Sequence, residues 1–452
     1  MNNFRLLWEL YRQKRNTRKT REQIALLQKQ KLSRLLRYVY RHSPYYRKTF
    51  EAAGITANTI DKTPLSGFPT LNRELLMSHF DELVTDRSLK QDELLHFGEG
   101  SSDSAETYQN KYHVVHSSGS TGTPRYFVYD NAAWGQMLLG IIRGALWDLS
   151  MPEILKLLGG RPRILYIAAT DGRYGGAMAI RDGINGIRAQ QRFLDINTPL
   201  AKWIDTVREF KPNILIGYPS AMKILAEEME EQGTALGLKR VISCGEPLYP
   251  SLRKYLESAF QTVVLNFYGA SESLALGVEQ CSDEGMYLFD DLNVVEVIDG
   301  EMYITCLYNF AQPLIRYQIS DHLVLRGSTE NAACPFTRAD VLLCRNEEVL
   351  WFETGDGRRE YLHPLSIEGF CVEGLLDYQF CQTSKHSFEM IAEIASPEIQ
   401  EKVDREMKAQ MKTLLSKNGL SDVDFSIRFV HHIMPDRNTG KKSLIVKQEN
   451  LL

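Results

Sequence analysis

The sequence predicts an α/β fold: a large N-terminal domain of mostly parallel, helix-covered sheet with a β-rich subdomain, followed by a small α+β C-terminal domain. Three observations predict it. Between residues 160 and 270 short apolar runs alternate with amphipathic helical segments. After residue 285 the pattern changes to paired strand-like runs, and beyond about residue 340 a long helical segment lies between further strands.

The first pattern begins with "RILYIAA", a buried strand. In "TPLAKWIDTVREF" Thr198 reads as an N-cap and Pro199 as the first helical residue, where a missing N–H costs nothing. "NILIGY" is the next strand, and "PSAMKILAEEMEEQG" is a helix closed by Gly233. "RVISCG", the helical "YPSLRKYLESAF" and "TVVLNFY" continue the alternation. Apolar strands separated by amphipathic helices imply parallel pairing with both sheet faces covered. The second pattern holds a hairpin, "VVEVIDGEMYITCL", turning at Asp299-Gly300, a pair suited to a type I′ turn. In the third, "SFEMIAEI" is a strand, "EIQEKVDREMKAQMKTLLSKNG" a long helix and "DFSIRFV" a strand before a polar turn. The boundary is placed at Asp340, giving domains 1–339 and 340–452.

Composition narrows the function classes. The chain has 452 residues, 43% hydrophobic and 24% charged, with a net charge of −4. That balance argues against a general nucleic-acid binder and against disorder, and favours catalysis or small-molecule binding. Seven cysteines, odd in number and widely spaced, show no C-x-x-C or Cys/His pattern that would mark zinc. No apolar run approaches the ~20 residues of a membrane span; "AAWGQMLLGIIRGALW" is broken by Arg143. The start lacks the apolar core of a signal peptide, so a reducing cytoplasm is the expected location. The first 50 residues carry 14 Lys/Arg against two Glu, and "LSRLLRYVYRH" repeats apolar residues at helical spacing. An amphipathic helix packed on its own domain, basic face in water, is favoured over an anionic-membrane or partner-binding helix.

Candidate chemistry starts at "HVVHSSGSTGTPRYFVY". The run Ser117, Ser118, Gly119, Ser120, Thr121, Gly122, Thr123 packs no core and sits between two strand-like segments. Small residues let backbone N–H groups approach a phosphate, the hydroxyls add donors, and Arg125 supplies charge. It is not a P-loop, because no Lys-Ser/Thr follows the second glycine. Taken alone, a solvated surface loop explains it equally well. "NFYGASESLALG" places Tyr268, Gly269, Ser271 and Glu272 after a buried strand, where open α/β sheets bind ligands. A carboxylate there suits Mg²⁺, or satisfies backbone donors at a helix start. Neither G-x-S-x-G nor H-E-x-x-H occurs, and His116, His322 and His431-His432 lack triad or metal spacing.

"SSGSTGTPR", "SCGEPL", "FYGASE", "PLIRYQISD", "TRADV" and "NTGKKSLIV", in this order, resemble the core motifs of the adenylate-forming superfamily. The branch that the chain resembles most is the phenylacetate–CoA ligase-like group, through "LLRYVYRHSPYYRKTFEAAGI" and "PNILIGYPSAMKILAEEM" as well. The resemblance implies that the loop Ser117–Arg125 holds the β- and γ-phosphates of ATP. Gly245, Glu246 and Pro247 would line the adenine, with Tyr268 stacked nearby. Ser271 would contact the α-phosphate, Glu272 would hold Mg²⁺, and Asp321 would bind the ribose. Arg338 would lie near the ribose at the domain junction, with Asp340 at the hinge. Lys441, on a mobile C-terminal lid, would bridge the substrate carboxylate and the α-phosphate.

The implied activity is ATP-dependent activation of a carboxylic acid, aromatic by analogy with the branch, followed by transfer to the thiol of CoA or of a carrier-protein phosphopantetheine. Alternatives are AMP attachment to a cofactor hydroxyl and nucleotide binding without turnover. The chain departs from the family pattern at Arg125, Ile319, Ser320 and Thr337. In "DGRYGGAMAIRDG", Gly175 and Gly176 could admit a flat acyl ring, or belong to an ordinary loop.

Overall fold

The structure is a computed structural model. It describes residues 3–100, 105–116, 125–170, 173–183, 189–246, 248, 250–280, 285–319, 321–326, 334–342, 350–355, 357–362, 366–367, 370, 372–431, 433 and 444–447. Helices α1 (Asn3–Asn16), α2 (Arg21–His42), α3 (Pro44–Ala52), α4 (Arg73–Ser78), α5 (Phe80–Leu83) and α6 (Gln91–Gly100) precede the hairpin β1 (Tyr112–His116) and β2 (Tyr126–Asp130). After α7 (Asn131–Ala145) and α8 (Met151–Gly159) come β3 (Arg163–Ala168), α9 (Gly175–Gly183), β4 (Gln190–Asp195), α10 (Ala201–Phe210), β5 (Ile214–Gly217), α11 (Pro219–Glu231), β6 (Arg240–Cys244) and α12 (Pro250–Phe260). The strands β7 (Val264–Ala270), β8 (Ser273–Glu279), β9 (Met286–Leu288), β10 (Asn293–Ile298), β11 (Glu301–Cys306), β12 (Tyr317–Ile319), β13 (His322–Leu325) and β14 (Arg338–Leu342) follow.

Among the described residues nine strands form one sheet in the order β13-β14-β9-β8-β7-β6-β5-β3-β4. From β4 to β7 the pairing is parallel, as the alternating pattern predicts; from β7 to β13 it is antiparallel. The parallel strands are apolar on both faces, with Leu165, Ile167, Leu215 and Val241 buried, because helices cover both sides. The predicted hairpin is present: Ile298 pairs with Glu301, and Asp299 and Gly300 both take positive φ, 52° and 83°.

One predicted helix start is corrected. Helix α10 begins at Ala201, not at Pro199, and Thr198 does not cap it. The Thr198 carbonyl accepts the Trp203 indole N–H at 2.9 Å, and the Glu360 carboxylate accepts the Leu200 N–H at 3.3 Å. A carboxylate 160 residues away in sequence takes a backbone donor at the start of this helix.

The N-terminal helices pack on this domain, as the favoured reading of the basic segment expects. Helix α2 starts with a capping box at Thr20 and Gln23 and buries Ile24, Leu35, Leu36 and Val39. Its charges are largely engaged: Arg21 pairs with Asp290 at 2.6 Å, Arg37 with Asp61, and Lys31 donates to the Asp291 carbonyl at 2.5 Å. Among the described residues no helix is long and apolar enough to cross a membrane. Arg143, which interrupts the apolar run of α7, is 0% exposed and grips Asp291, 1% exposed, through two bonds of 2.6 and 2.9 Å. The Asn16 amide donates to the same carboxylate at 2.7 Å, and the guanidinium lies over the Phe289 ring. Burial alone would raise the Asp291 pKa; Arg143, with Lys31 and Asn16 behind it, holds it below the usual carboxylate value.

The C-terminal part has its own core. After the hairpin β15 (Leu350–Glu353) and β16 (Arg359–Leu362), the strands β17 (Leu375–Gln382), β18 (Ser387–Ile394), β19 (Asp424–Val430) and β20 (Ile445–Lys447) form a sheet in the order β19-β18-β17-β20. Helix α13 (Gln400–Lys417) lays Val403, Met407, Met411 and Leu415 on it, a stripe spaced at four residues. The expected boundary residue Asp340 lies in β14, and the second core takes up from Leu350. The two parts touch where the Tyr361 hydroxyl donates to the Ile196 carbonyl and the Ser366 hydroxyl to Asn197, both at 2.5 Å.

Replacing Arg143 by Met should strand a buried carboxylate and cost about 3–5 kcal/mol in denaturant unfolding at neutral pH. The double replacement Arg143→Met with Asp291→Leu should recover most of that loss. In the native protein the Asp291 contribution is present above the unfolded carboxylate pKa and lost as pH falls through the lowered folded value.

Candidate active site

The carboxyl ends of β5, β6 and β7 lie side by side, since Gly217 pairs with Ser243 and Cys244 with Phe267. Strand β4 pairs on one side of β3 and β5 on the other, so the strand order reverses at β3. That is where an open α/β sheet leaves a crevice. The chain then turns sharply between β7 and β8 at Ala270–Ser273, with an irregularity at Tyr268–Ala270. Gly269 is required there: a Cβ on it would lie 2.4 Å from the Leu274 carbonyl oxygen.

This turn gathers most of the expected site residues that are described. The Tyr268 hydroxyl donates to the Asp321 carboxylate at 2.8 Å, which ties β7 to the start of β13. Ser271 accepts the Tyr129 hydroxyl on its carbonyl at 2.7 Å and donates its own hydroxyl to the His116 carbonyl at 3.2 Å. It is thereby fastened to both strands that flank the serine-rich run. Glu272 is only 5% exposed, and its nearest described cation, Arg125, stands 3.7 Å away. Arg125 also donates to the Tyr317 hydroxyl at 3.0 Å. Burial raises the Glu272 pKa above its ordinary value; Arg125 opposes the rise and Asp321 adds to it. Two carboxylates and one guanidinium thus share a poorly solvated corner. Such a corner favours an added cation or a bound proton.

At the neighbouring strand end Gly245 takes φ +80°, and a Cβ there would meet the Tyr218 ring at 2.5 Å. The Glu246 carboxylate accepts the Ser220 N–H at the start of α11, 3.2 Å away. Burial, then Glu246, pushes the Cys244 thiol up to about 12, which disfavours the thiolate. Ser117, Ser118, Gly119, Ser120, Thr121, Gly122, Thr123, Pro247 and Lys441 lie outside the described residues. Among the described residues no group of three or more His, Cys, Asp or Glu could hold a metal ion. A single carboxylate is nonetheless sufficient for Mg²⁺ where phosphate oxygens complete its coordination.

Two expectations are not met in place. Arg338 lies over the Tyr287 ring, 5.8 Å from its centroid, and is four residues along β14 from the position paired with His322. At about 3.3 Å per residue it sits roughly 13 Å of strand from the Asp321 end. Gly175 and Gly176 open no space for a ring: a Cβ on the first would meet Leu274 at 2.7 Å, and on the second the Tyr166 hydroxyl at 2.4 Å. They let α9 pack closely against β3 and β8.

The residue that the motifs do not mark is Arg73. Leu71 lies alongside Tyr317 through the bonds Leu71 N–H to the Arg316 carbonyl, 3.0 Å, and Gln318 N–H to the Leu71 carbonyl, 2.8 Å. Arg73 follows at the start of α4, and burial, then the like charge of Arg125, lower its pKa. A second guanidinium therefore faces the Arg125–Tyr317 pair. Only the pairing of residue 71 with β12, distant in sequence, brings it there.

The family model described as AMP-binding enzyme matches residues 71–291. Phenylacetate-coenzyme A ligases of Thermus thermophilus and Escherichia coli are each 24% identical to the chain, covering 73% of it and 72% of each relative. Among solved structures, 2-hydroxyisobutyryl-CoA ligase in complex with 2-HIB-AMP and CoA covers 96% of this chain and 91% of its own, with a TM-score of 0.62 at 18% identity. At that identity the likeness speaks for the fold. The family match, the ligase relatives and the ordered motifs converge on the adenylate-forming enzymes, and the chain is similar to their phenylacetate–CoA ligase-like branch.

Proposed function

We propose that the protein is an ATP-dependent acid–thiol ligase acting on a small carboxylic acid, with an aromatic acid as the favoured substrate and the cytoplasm as its location. In the first step a carboxylate oxygen of the acid attacks the α-phosphorus of ATP. The bond from that phosphorus to the bridging oxygen breaks, and pyrophosphate leaves acyl-AMP behind. In the second step the sulfur of a thiol attacks the acyl carbon. The acyl C–O bond breaks, AMP departs, and the thiol proton passes to solvent. CoA is the favoured acceptor, by analogy with the ligase relatives; a carrier-protein phosphopantetheine would undergo the same chemistry.

The observation that carries this reading is the joining of Tyr268, Ser271, Glu272, Asp321 and Arg125 around one turn at the sheet's carboxyl edge. The reaction gathers negative charge on pyrophosphate and on the α-phosphoryl oxygens, so fixed cations aimed at those oxygens contribute most. Arg125 and Arg73 supply such charge beside the run Ser117–Thr123, whose N–H groups would hold the β- and γ-phosphates. Ser271 is set to meet the α-phosphate, and Asp321 to accept from the ribose hydroxyls while it orients Tyr268. Gly245, Glu246 and Pro247 are assigned to the adenine. Glu272 would hold Mg²⁺, which supplies charge neutralisation for the leaving pyrophosphate. Lys441 would bring the acid and the α-phosphate together, and the ribose assignment of Arg338 rests on its motif alone.

Carboxylate-dependent pyrophosphate exchange across a panel of acids, repeated with CoA and with a carrier protein, tests the reading. Acid-dependent exchange together with a thioester supports it; exchange without thioester points to AMP transfer or stand-alone adenylation, and nucleotide binding without exchange to a protein lacking turnover. Lys441→Ala should lower exchange by about 10²–10³-fold or more while ATP still raises the melting temperature. Wild-type exchange in that variant would refute the assignment. Glu272→Gln should abolish most Mg²⁺-dependent exchange yet stabilise the ligand-free protein. A raised carboxyl pKa in the fold means that stability is fully present below the unfolded value and falls as pH rises through the folded one. Thermal melts from pH 4 to 8 should therefore lose less stability in the variant than in the wild type.

A further inference from the structure

Most of the basic side chains near the N-terminus that have a visible role are used internally, but one group is not. Arg41, His42, Arg47 and Lys48, from the end of α2 and from α3, converge with Arg87 on a surface recess of about 430 Å³. Among the described residues no ion pair joins any of these four Lys/Arg to a carboxylate. The acids around them are engaged elsewhere. Glu51, which also lines the recess, accepts the Tyr40 hydroxyl at 2.9 Å. Asp81 takes the Lys90 ammonium and the Gln91 N–H, both at 3.0 Å. Asp86 takes Lys111 and the Tyr112 hydroxyl at 2.6 and 2.5 Å.

Two of the guanidiniums are held in place without being neutralised. Arg47 donates to the Tyr40 and Arg41 carbonyls at 2.9 and 2.8 Å, and Arg87 to the Asp81 and His42 carbonyls at 2.7 and 3.1 Å. The Tyr40, Arg41 and His42 carbonyls belong to the last turn of α2, which leaves its carbonyls without intrahelical partners. Carbonyl partners fix the planes of the two groups and leave their charge in place. Each guanidinium has five N–H donors, so donors remain for a ligand. The His42 ring is fixed as well. It stacks on Tyr38 with centroids 4.1 Å apart, and its Nδ1 lies 2.8 Å from the Tyr38 carbonyl. A carbonyl only accepts, so Nδ1 carries a proton, and Nε2 has no described partner.

A phosphate monoester fits this arrangement. It carries about two negative charges at neutral pH and offers acceptor oxygens on one tetrahedral centre. Fixed guanidinium planes meet such oxygens in pairs, and the Lys48 ammonium adds a compact charge. A soluble small molecule or a lipid headgroup could each carry the phosphate, and the surroundings favour the first. Binding at a membrane draws on buried apolar area as well as on charge. Among the described residues that line the recess, Pro44 alone is apolar. The exposed large apolar side chains belong to other segments, Leu26 and Leu155 being the nearest in sequence. The volume is that of a small-molecule site.

We propose that this recess binds a soluble phosphate monoester, a role separate from the acid–thiol ligase reading and independent of it. Calorimetric titration of the full chain with inorganic phosphate and with glycerol 3-phosphate should show saturable binding below about 10 mM. Arg41→Glu with Lys48→Glu alters two side chains that have no described bonds, and should weaken that binding about tenfold or more. Arg15→Glu with Lys29→Glu reverses two exposed charges outside the recess and should leave it unchanged. Arg125→Ala, in the candidate active site, should retain it too. No saturable binding of either probe overturns the proposal, as does an equal loss in the two charge-reversal variants, which would mean a diffuse field. Binding lost in Arg125→Ala and kept in the recess variant overturns it as well, and assigns the phosphate to the active site. Retention on phosphatidate vesicles, with no response to either soluble probe, overturns it in favour of a lipid headgroup.

Discussion

A carboxylate withdrawn from water beside a guanidinium that does not fully satisfy it is the constraint on which the site depends. Glu272 is 5% exposed, and Arg125 approaches to 3.7 Å, beyond hydrogen-bond distance. Removing a carboxylate from water is costly unless it is paired and bonded. The fold carries that cost because the turn has little freedom. Gly269 is pressed against the Leu274 backbone, Ser271 is bonded on both its hydroxyl and its carbonyl, and Tyr268 is tied to Asp321. Preorganisation of this kind leaves little to rearrange when a cation and phosphate oxygens arrive.

The sheet explains why these groups meet. Residues of β2, β7 and β12 come from widely separated parts of the chain, yet each contributes at or next to the carboxyl edge. Strand β7 is the last parallel strand and the first antiparallel partner, so its end must reverse direction at the site itself. In sequence the phosphate-loop candidates fall between β1 and β2, two strands joined to that turn through His116 and Tyr129. The β-rich part contributes Asp321 and Tyr317, and the segment around Leu71 adds to β12 and delivers Arg73.

Much of this was legible in the sequence, for identifiable reasons. Strands such as "NILIGY" and helices such as "PSAMKILAEEMEEQG" announce themselves through apolar period and local stop signals, which depend on neighbours only. The type I′ turn at Asp299-Gly300 is likewise local. What was not legible depends on distant partners. Thr198 has the chemistry of an N-cap, but the helix starts three residues later and Glu360, from across the chain, takes the Leu200 N–H. Gly175 and Gly176 resemble pocket residues in sequence, whereas Leu274 and Tyr166 fill the space above them. Arg73 carries no motif, and only strand pairing reveals its neighbours. Arg338 matches a motif by position, and the structure lays it on Tyr287 instead.

The basic N-terminal segment shows how one composition can serve two ends. Where a cation meets a carboxylate or lies over a ring, as at Arg21–Asp290, Arg37–Asp61 and Arg34 over Phe310, it fastens helices to the sheet domain and its field is largely spent. Where it meets a backbone carbonyl, as at Arg47 and Arg87, the geometry is fixed but the charge persists. Counting lysines and arginines cannot separate these cases; their bonding partners can. Strand β1 is tied at its start to Asp86, through Lys111 and Tyr112, and at its end to the Ser271 turn.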